Sequence, residues 1–240
     1  MKKLMLNIDW KALSISAAIM LAIGALWNTG LVYPLKILVV FFHELSHALT
    51  AVATGGRIVE IQINAMQGGL AITQGGSSFW VTFSGYVGSL VWGGVILFLA
   101  ARTRLDRPVA MALGAIVIAV TALFVRPFFS FGFLFCALTG VGFVISGKML
   151  PAIFNDFLLR VVGLTSMLYA ILDIKSDVFD RPELPSDAVA LAEMTHVPAL
   201  FWGFLWSLIS LLAASGFLIA ACQKPHPNTT PSARNAGGHF

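Results

Sequence analysis

Charge is scarce in this chain of 240 residues: Lys, Arg, Asp and Glu together make up 11%, against 58% hydrophobic residues, and the mean hydropathy is +0.87. An ordinary water-soluble domain keeps about a quarter of its residues charged so that its surface stays solvated. That shortage excludes a soluble globular protein. Cysteine is almost as scarce: Cys136 and Cys222 both fall in apolar stretches, which excludes a disulfide framework and a zinc site of the cysteine type. Acidic residues number eleven against fifteen Lys and Arg, giving a net charge of +4. Those basic residues are scattered, however, and no basic stripe with interleaved aromatics is present, so nucleic acid is excluded as a partner. The charges read instead as loop residues beside lipid headgroups. There is no internal repeat and no separate soluble domain. The expected organisation is one membrane-embedded unit over 1–222 and, at 223–240, a disordered tail rich in Pro, Asn, Thr, Ser and Gly.

What the chain does have is apolar runs long enough to cross a bilayer. A helix needs roughly 20 residues to span about 30 Å of hydrocarbon at 1.5 Å per residue. Such runs are expected over 12–32, 34–54, 79–101, 108–125, 128–146, 153–172 and 197–221. The count is about seven, or six if the two runs flanking Arg126-Pro127 form one broken unit. Lys2, Lys3 and Lys11 before the first run favour a cytoplasmic N-terminus. Between Arg57 and Gly76 the pattern changes from helical to extended, with Ile58, Val59, Ile61 and Ile63 followed by Gly68-Gly69, Leu70 and Ile72. That reads as a β-hairpin lying against the membrane. From Lys175 to His196 the chain is polar, a loop long enough to have a function of its own. The fold class is therefore an all-α polytopic membrane protein with a short membrane-associated β-hairpin.

The second run carries His43-Glu44-Leu45-Ser46-His47. Histidines at i and i+4 project from one face of a helix and can hold one metal ion. Glu44 stands beside that face as a general base. In zinc peptidases with this pattern, Zn²⁺ lowers the pKa of water toward about 7 and stabilises the oxyanion that forms on attack. The flanks, Ile37-Leu38-Val39-Val40-Phe41-Phe42 before and Ala48-Leu49-Thr50-Ala51-Val52 after, place these polar groups inside the bilayer. A charge at the centre of a membrane helix costs about 2.5 to 3.5 kcal/mol even on lenient scales. A metal in a water-reaching, protein-lined cavity is the simplest compensation.

A catalytic zinc site normally has three protein ligands and one open position. His196 lies in the late polar loop, and His226 and His239 lie in the tail, poor places for a ligand to a buried ion. Asp156 and Asp173 sit near opposite ends of one helical run, about 25 Å apart, so only one of them can serve. Asp173 ends a continuous apolar run at a membrane boundary. Asp177 shares its face if the helix continues one more turn, and Asp187 can fold back from the loop.

Taken together, His43-Glu44-x-x-His47, the Gly55-Gly56 that stops its helix, the Gly-rich extended segment and Ser84-Gly85-Tyr86-Val87-Gly88-Ser89 resemble the site-2 protease family of intramembrane zinc metallopeptidases. The similarity is to its small bacterial members without a PDZ domain, and it is most specific over 37–95. Leu172-Asp173 is similar to the family's Leu-Asp-Gly motif, whose aspartate is the third zinc ligand. The resemblance thus implies Asp173 as third ligand beside His43 and His47. Two departures stand out: Ile174 replaces the family glycine, and Gly85-Tyr86 stands where the family has Gly-Pro. The implied reaction is hydrolysis of a peptide bond in or near a transmembrane segment of another protein, at a bacterial inner membrane. A helix hides its carbonyls in hydrogen bonds, so such a substrate must unwind, and the hairpin's edge offers a strand on which to hold it.

Two rival readings are a divalent-metal transporter and an inactive zinc-binding scaffold. A transporter would repeat polar ligands along facing helices, whereas the spans after Phe79 hold almost no acidic residue or histidine until Asp156. A scaffold has no need of the intact base Glu44.

Overall fold

The computed structural model describes residues 7–181 and 183–224. Among them the chain forms eight α-helices and one hairpin: α1 (Trp10–Ala25), α2 (Tyr33–Ala53), β1 (Arg57–Ile63), β2 (Gly69–Gln74), α3 (Ser78–Arg102), α4 (Asp106–Phe124), α5 (Phe131–Met149), α6 (Ala152–Lys175), α7 (Asp187–Thr195) and α8 (Ala199–Ala221). Six of them, all but α1 and α7, are long and apolar enough to cross a membrane. The protein is a multi-pass integral membrane protein.

That count of six does not come from merging the runs around Arg126-Pro127. Val125 leaves helical geometry at ψ 124, and α4 and α5 are separate helices that pack side by side, with Gly114 and Gly140 at their contact. The expected first span is instead the short one. Asp9 caps α1 by accepting from Lys11 N and Ala12 N, and the helix ends after 16 residues, about 24 Å at its normal rise. Turns then lead to Pro34 in the first turn of α2, where its missing N–H costs nothing.

α2 is the central helix, with Ile37, Leu38, Val39, Val40, Phe41 and Phe42 all buried. α3 and α6 flank it and cross where backbones nearly touch: a Cβ on Gly93 would lie 2.6 Å from the Gly163 carbonyl oxygen. Helix association in lipid depends on such close approach, because apolar burial gives no advantage over contact with lipid tails. α8 packs outside them, and its Leu208, Leu211 and Leu212 are exposed, as suits a face turned to acyl chains.

Gly55, at φ +90, turns the chain after α2 and lets the hairpin run back along that helix. β1 and β2 pair antiparallel from Arg57↔Gln74 to Ile63↔Gly69, with an irregularity between Ile58 and Glu60. The Asn64 side chain ties the turn by accepting from Met66 N and Gly68 N, and Tyr33 Oη donates to the Ala65 carbonyl at 2.7 Å. The turn therefore sits beside the start of α2. The outer side of β1 meets Val125, and Arg126 N donates to Ile61 O at 2.9 Å. The outer edge of β2 has no strand partner among the described residues.

The polar stretch expected as a loop has more structure than its composition suggests. α6 runs on into a π-helical turn over Ser176–Asp180, and α7 follows, capped by Ser186. The disordered tail expected over 223–240 lies outside the described residues from 225 onward.

Candidate metal centre

The residues of the motif face a cavity of about 680 Å³ bounded by α2, β2, α3, α6 and the segment that leads into α7. Helical spacing puts His43 and His47 on that face, with Glu44 beside them; Glu44 and His47 are buried. The third group comes from far along the chain. Asp187, at the first turn of α7, places Oδ2 3.1 Å from His43 Nε2 and 3.3 Å from His47 Nε2. His43, His47 and Asp187 are a group that can hold a metal ion, and no other such group occurs among the described residues. Asp173, the third ligand implied by the Leu172-Asp173 resemblance, does not belong to this trio. It lines the same cavity from the last turns of α6, as Asp177 does from the π-helical turn. Asp177 is already engaged, accepting from Tyr86 Oη at 2.7 Å and pairing with Arg181 at 3.1 Å. Of the other candidates, Asp156 is held by Arg160 at 2.8 Å and His196 is exposed at the end of α7. His226 and His239 lie outside the described residues.

Whether a cation fits can be read from proton positions. His47 Nδ1 lies 2.6 Å from the Val81 carbonyl oxygen. A carbonyl only accepts, so Nδ1 carries the proton and the neutral ring turns the lone pair of Nε2 outward. That lone pair faces Asp187 Oδ2, which is buried and has no hydrogen-bond partner. Two electron-rich atoms held face to face call for positive charge between them. Metal bonds of about 2.0 to 2.1 Å at tetrahedral angles separate ligand atoms by about 3.3 Å, close to the 3.1 and 3.3 Å seen here. A carbonyl that fixes the far nitrogen of a ligating histidine is the usual support of such sites.

Two glycines give the site its room. A Cβ on Gly85 would stand 2.3 Å from His43 Nε2 and 2.6 Å from Asp187 Oδ2. A Cβ on Gly69 would stand 2.4 Å from Glu44 Oε1, so β2 can lie against the Glu44 carboxylate only because it has no side chain there. The tyrosine that departs from the family pattern has a place of its own. Its ring meets the His43 ring edge to face at 5.1 Å and Trp206 at 4.8 Å, while its hydroxyl reaches Asp177. Sequence reading left these roles unassigned. One available signal was Ser186 ahead of Asp187-Ala188-Val189-Ala190-Leu191, an N-cap before a short apolar helix, which marks Asp187 as a first-turn residue.

Six membrane-crossing helices around a half-buried His/His/Asp cluster, with a glutamate beside it and a cavity in front, define a membrane-embedded protein with a candidate metal centre. The chain belongs to the Peptidase M50B-like family, whose model matches residues 16–217, and so to the site-2 proteases. No curated protein and no solved structure matches it.

Proposed function

We propose that the protein is a zinc metalloendopeptidase that hydrolyses peptide bonds in or near the transmembrane segments of other membrane proteins, in the inner membrane of a bacterium. The observation that carries this reading is the orphaned Asp187 Oδ2 facing two histidine nitrogens, with Glu44 adjacent. His43, His47 and Asp187 are the ligands in this reading, and Asp173 belongs to the cavity wall. Bound there, zinc supplies a Lewis acid that acidifies water and stabilises negative charge on the attacked carbonyl. Glu44 takes the proton from the attacking water and delivers it to the leaving amine. The unpaired edge of β2, whose Gly69, Leu70 and Ala71 line the cavity, holds an unwound substrate strand by backbone hydrogen bonds. The wall built from the hairpin and α3 keeps lipid away from these polar groups.

Glu44→Gln tests this directly. It is expected to keep wild-type zinc by elemental analysis and to lose cleavage of a transmembrane substrate by at least about a thousandfold, whereas His47→Ala loses both. A purified wild type without zinc, or a Glu44→Gln protein that still cleaves, would end the proposal. Zinc flux into proteoliposomes would point to transport instead.

A further inference from the structure

One charged residue of the cavity takes no part in the chemistry described so far. Lys36, in the first turn of α2, is only 8% exposed, and it lines the same cavity as the motif. It lies over the Trp27 ring at 4.5 Å from the centroid, and Trp27 in turn packs on Tyr169 at 5.8 Å. Among the described residues it has no carboxylate within 4.0 Å. Arg181, the cavity's other cation, is tied to Asp177 and Ser176. A cation without a charged partner, steadied on an aromatic face and lining an open cavity, is available to an anion that arrives there.

The position of Lys36 says where on a substrate that anion lies. Lys36, Val40, His43, Glu44 and His47 follow one face of α2 along the cavity. Lys36 marks the end at the hairpin turn, where Met66, Gln67 and Gly68 also line it. Seven or eight helical residues from Lys36 to His43 and Glu44 correspond to about 11 Å, which an extended peptide covers in about three or four residues. A strand held on the β2 edge with its reacting carbonyl at the metal centre therefore passes Lys36 about three or four residues away. The only negative group native to a peptide is a carboxylate.

We propose that Lys36, held over Trp27, binds a substrate carboxylate about three or four residues from the cleaved bond, and so sets which segments the enzyme accepts. The proposal rests on the metallopeptidase reading for the location of that bond. The carboxylate is an Asp or Glu side chain of the substrate or the free C-terminus of its chain. In the second case the enzyme trims short C-terminal pieces.

The test measures binding as well as cleavage, so the two readings fail separately. Full-length zinc-loaded protein in detergent is titrated with fluorescent peptides of one apolar sequence carrying Asp or Asn at each position in turn. Each is made with a free or an amidated C-terminus. Glu44→Gln protein gives affinities without turnover. At one position, or at the free terminus, the carboxylate is expected to tighten binding about tenfold over its neutral partner. Lys36→Met removes that preference, and Lys36→Glu reverses it toward a peptide carrying Lys there, a gain that misfolding cannot produce. Preference for a free over an amidated terminus assigns the C-terminal source; preference for internal Asp assigns the side chain. Equal binding of all Asp and Asn peptides and of both termini, or a preference that survives in Lys36→Glu, overturns the proposal whether or not peptides are cleaved. A Lys36-dependent preference without any cleavage upholds the carboxylate site and removes the protease reading.

Discussion

The two sides of the candidate metal centre are built differently. α2 delivers His43 and His47 from the interior of a 21-residue helix whose core positions are buried. α7 delivers Asp187 from the first turn of a 9-residue helix that is not one of the membrane-crossing set. On the α2 side, helix geometry alone fixes the spacing of the ligands. On the α7 side the position depends on tertiary contacts: the Ser186 cap, the burial of Ala188 and Leu191 beside Trp202 and Trp206, and the gap left by Gly85. One side is set by the chain's local periodicity and the other by what folds against it, so substitutions on the two sides should fail in different ways.

The largest expected effect falls on the proposed ligands themselves. His47→Ala and Asp187→Ala should both lose zinc and activity, each lowering affinity by more than the 10- to 100-fold typical of supporting residues, so beyond about a hundredfold. Asp173→Asn should keep its metal. Zinc content after dialysis of the three purified proteins checks this. An Asp187→Ala protein that retains zinc while Asp173→Asn loses it would move the third ligand onto α6 and break the comparison.

Gly85→Ala comes next. Its methyl would intrude at 2.3 Å from His43 Nε2 and 2.6 Å from Asp187 Oδ2, wedging the two sides apart. Displacement of reacting groups by about 1 Å costs on the order of a hundredfold in rate, and here metal affinity should fall with it. Unchanged zinc binding in a folded Gly85→Ala protein would mean that α7 can yield without loss of the ligand set.

The same contrast explains what the sequence made legible. All six long spans were plain from their apolar length, and the hairpin from Ile58 to Ile72 was plain from its change of pattern. The first run misled because its apolar character continues past Ala25, where the helix stops and turns begin. His43, Glu44 and His47 stood out because their spacing is local. Asp187 was one candidate among three, since nothing local distinguishes it from Asp173 or Asp177 except the cap at Ser186. Lys36 and the glycines at 69 and 85 could not be assigned from sequence, as their roles consist of what lies across from them in space.

Gly69→Ala probes the α2 side without touching a ligand. Its methyl would meet Glu44 Oε1 at 2.4 Å, so the base moves while His43, His47 and Asp187 keep their places. Turnover should drop by about a hundredfold with zinc content unchanged, a pattern opposite to that of Gly85→Ala. Loss of zinc in Gly69→Ala would show that the hairpin supports the ligands as well as the base.

The smallest effect is expected at the cap of α7. Ser186 Oγ accepts from Val189 N at 3.4 Å, and removal of such a cap costs a short helix typically about 1 kcal/mol. Because Asp187 is the first residue after that cap, the loss falls on its position and not on the global fold. Ser186→Ala should weaken zinc binding by about fivefold in a chelator competition while the melting temperature of the metal-free protein stays within a few degrees. A Ser186→Asp protein, which keeps a capping oxygen, should recover most of the affinity. If Ser186→Ala binds zinc as tightly as the wild type, the apolar contacts of Ala188 and Leu191 are enough to hold α7, and the α7 side is as rigid as α2.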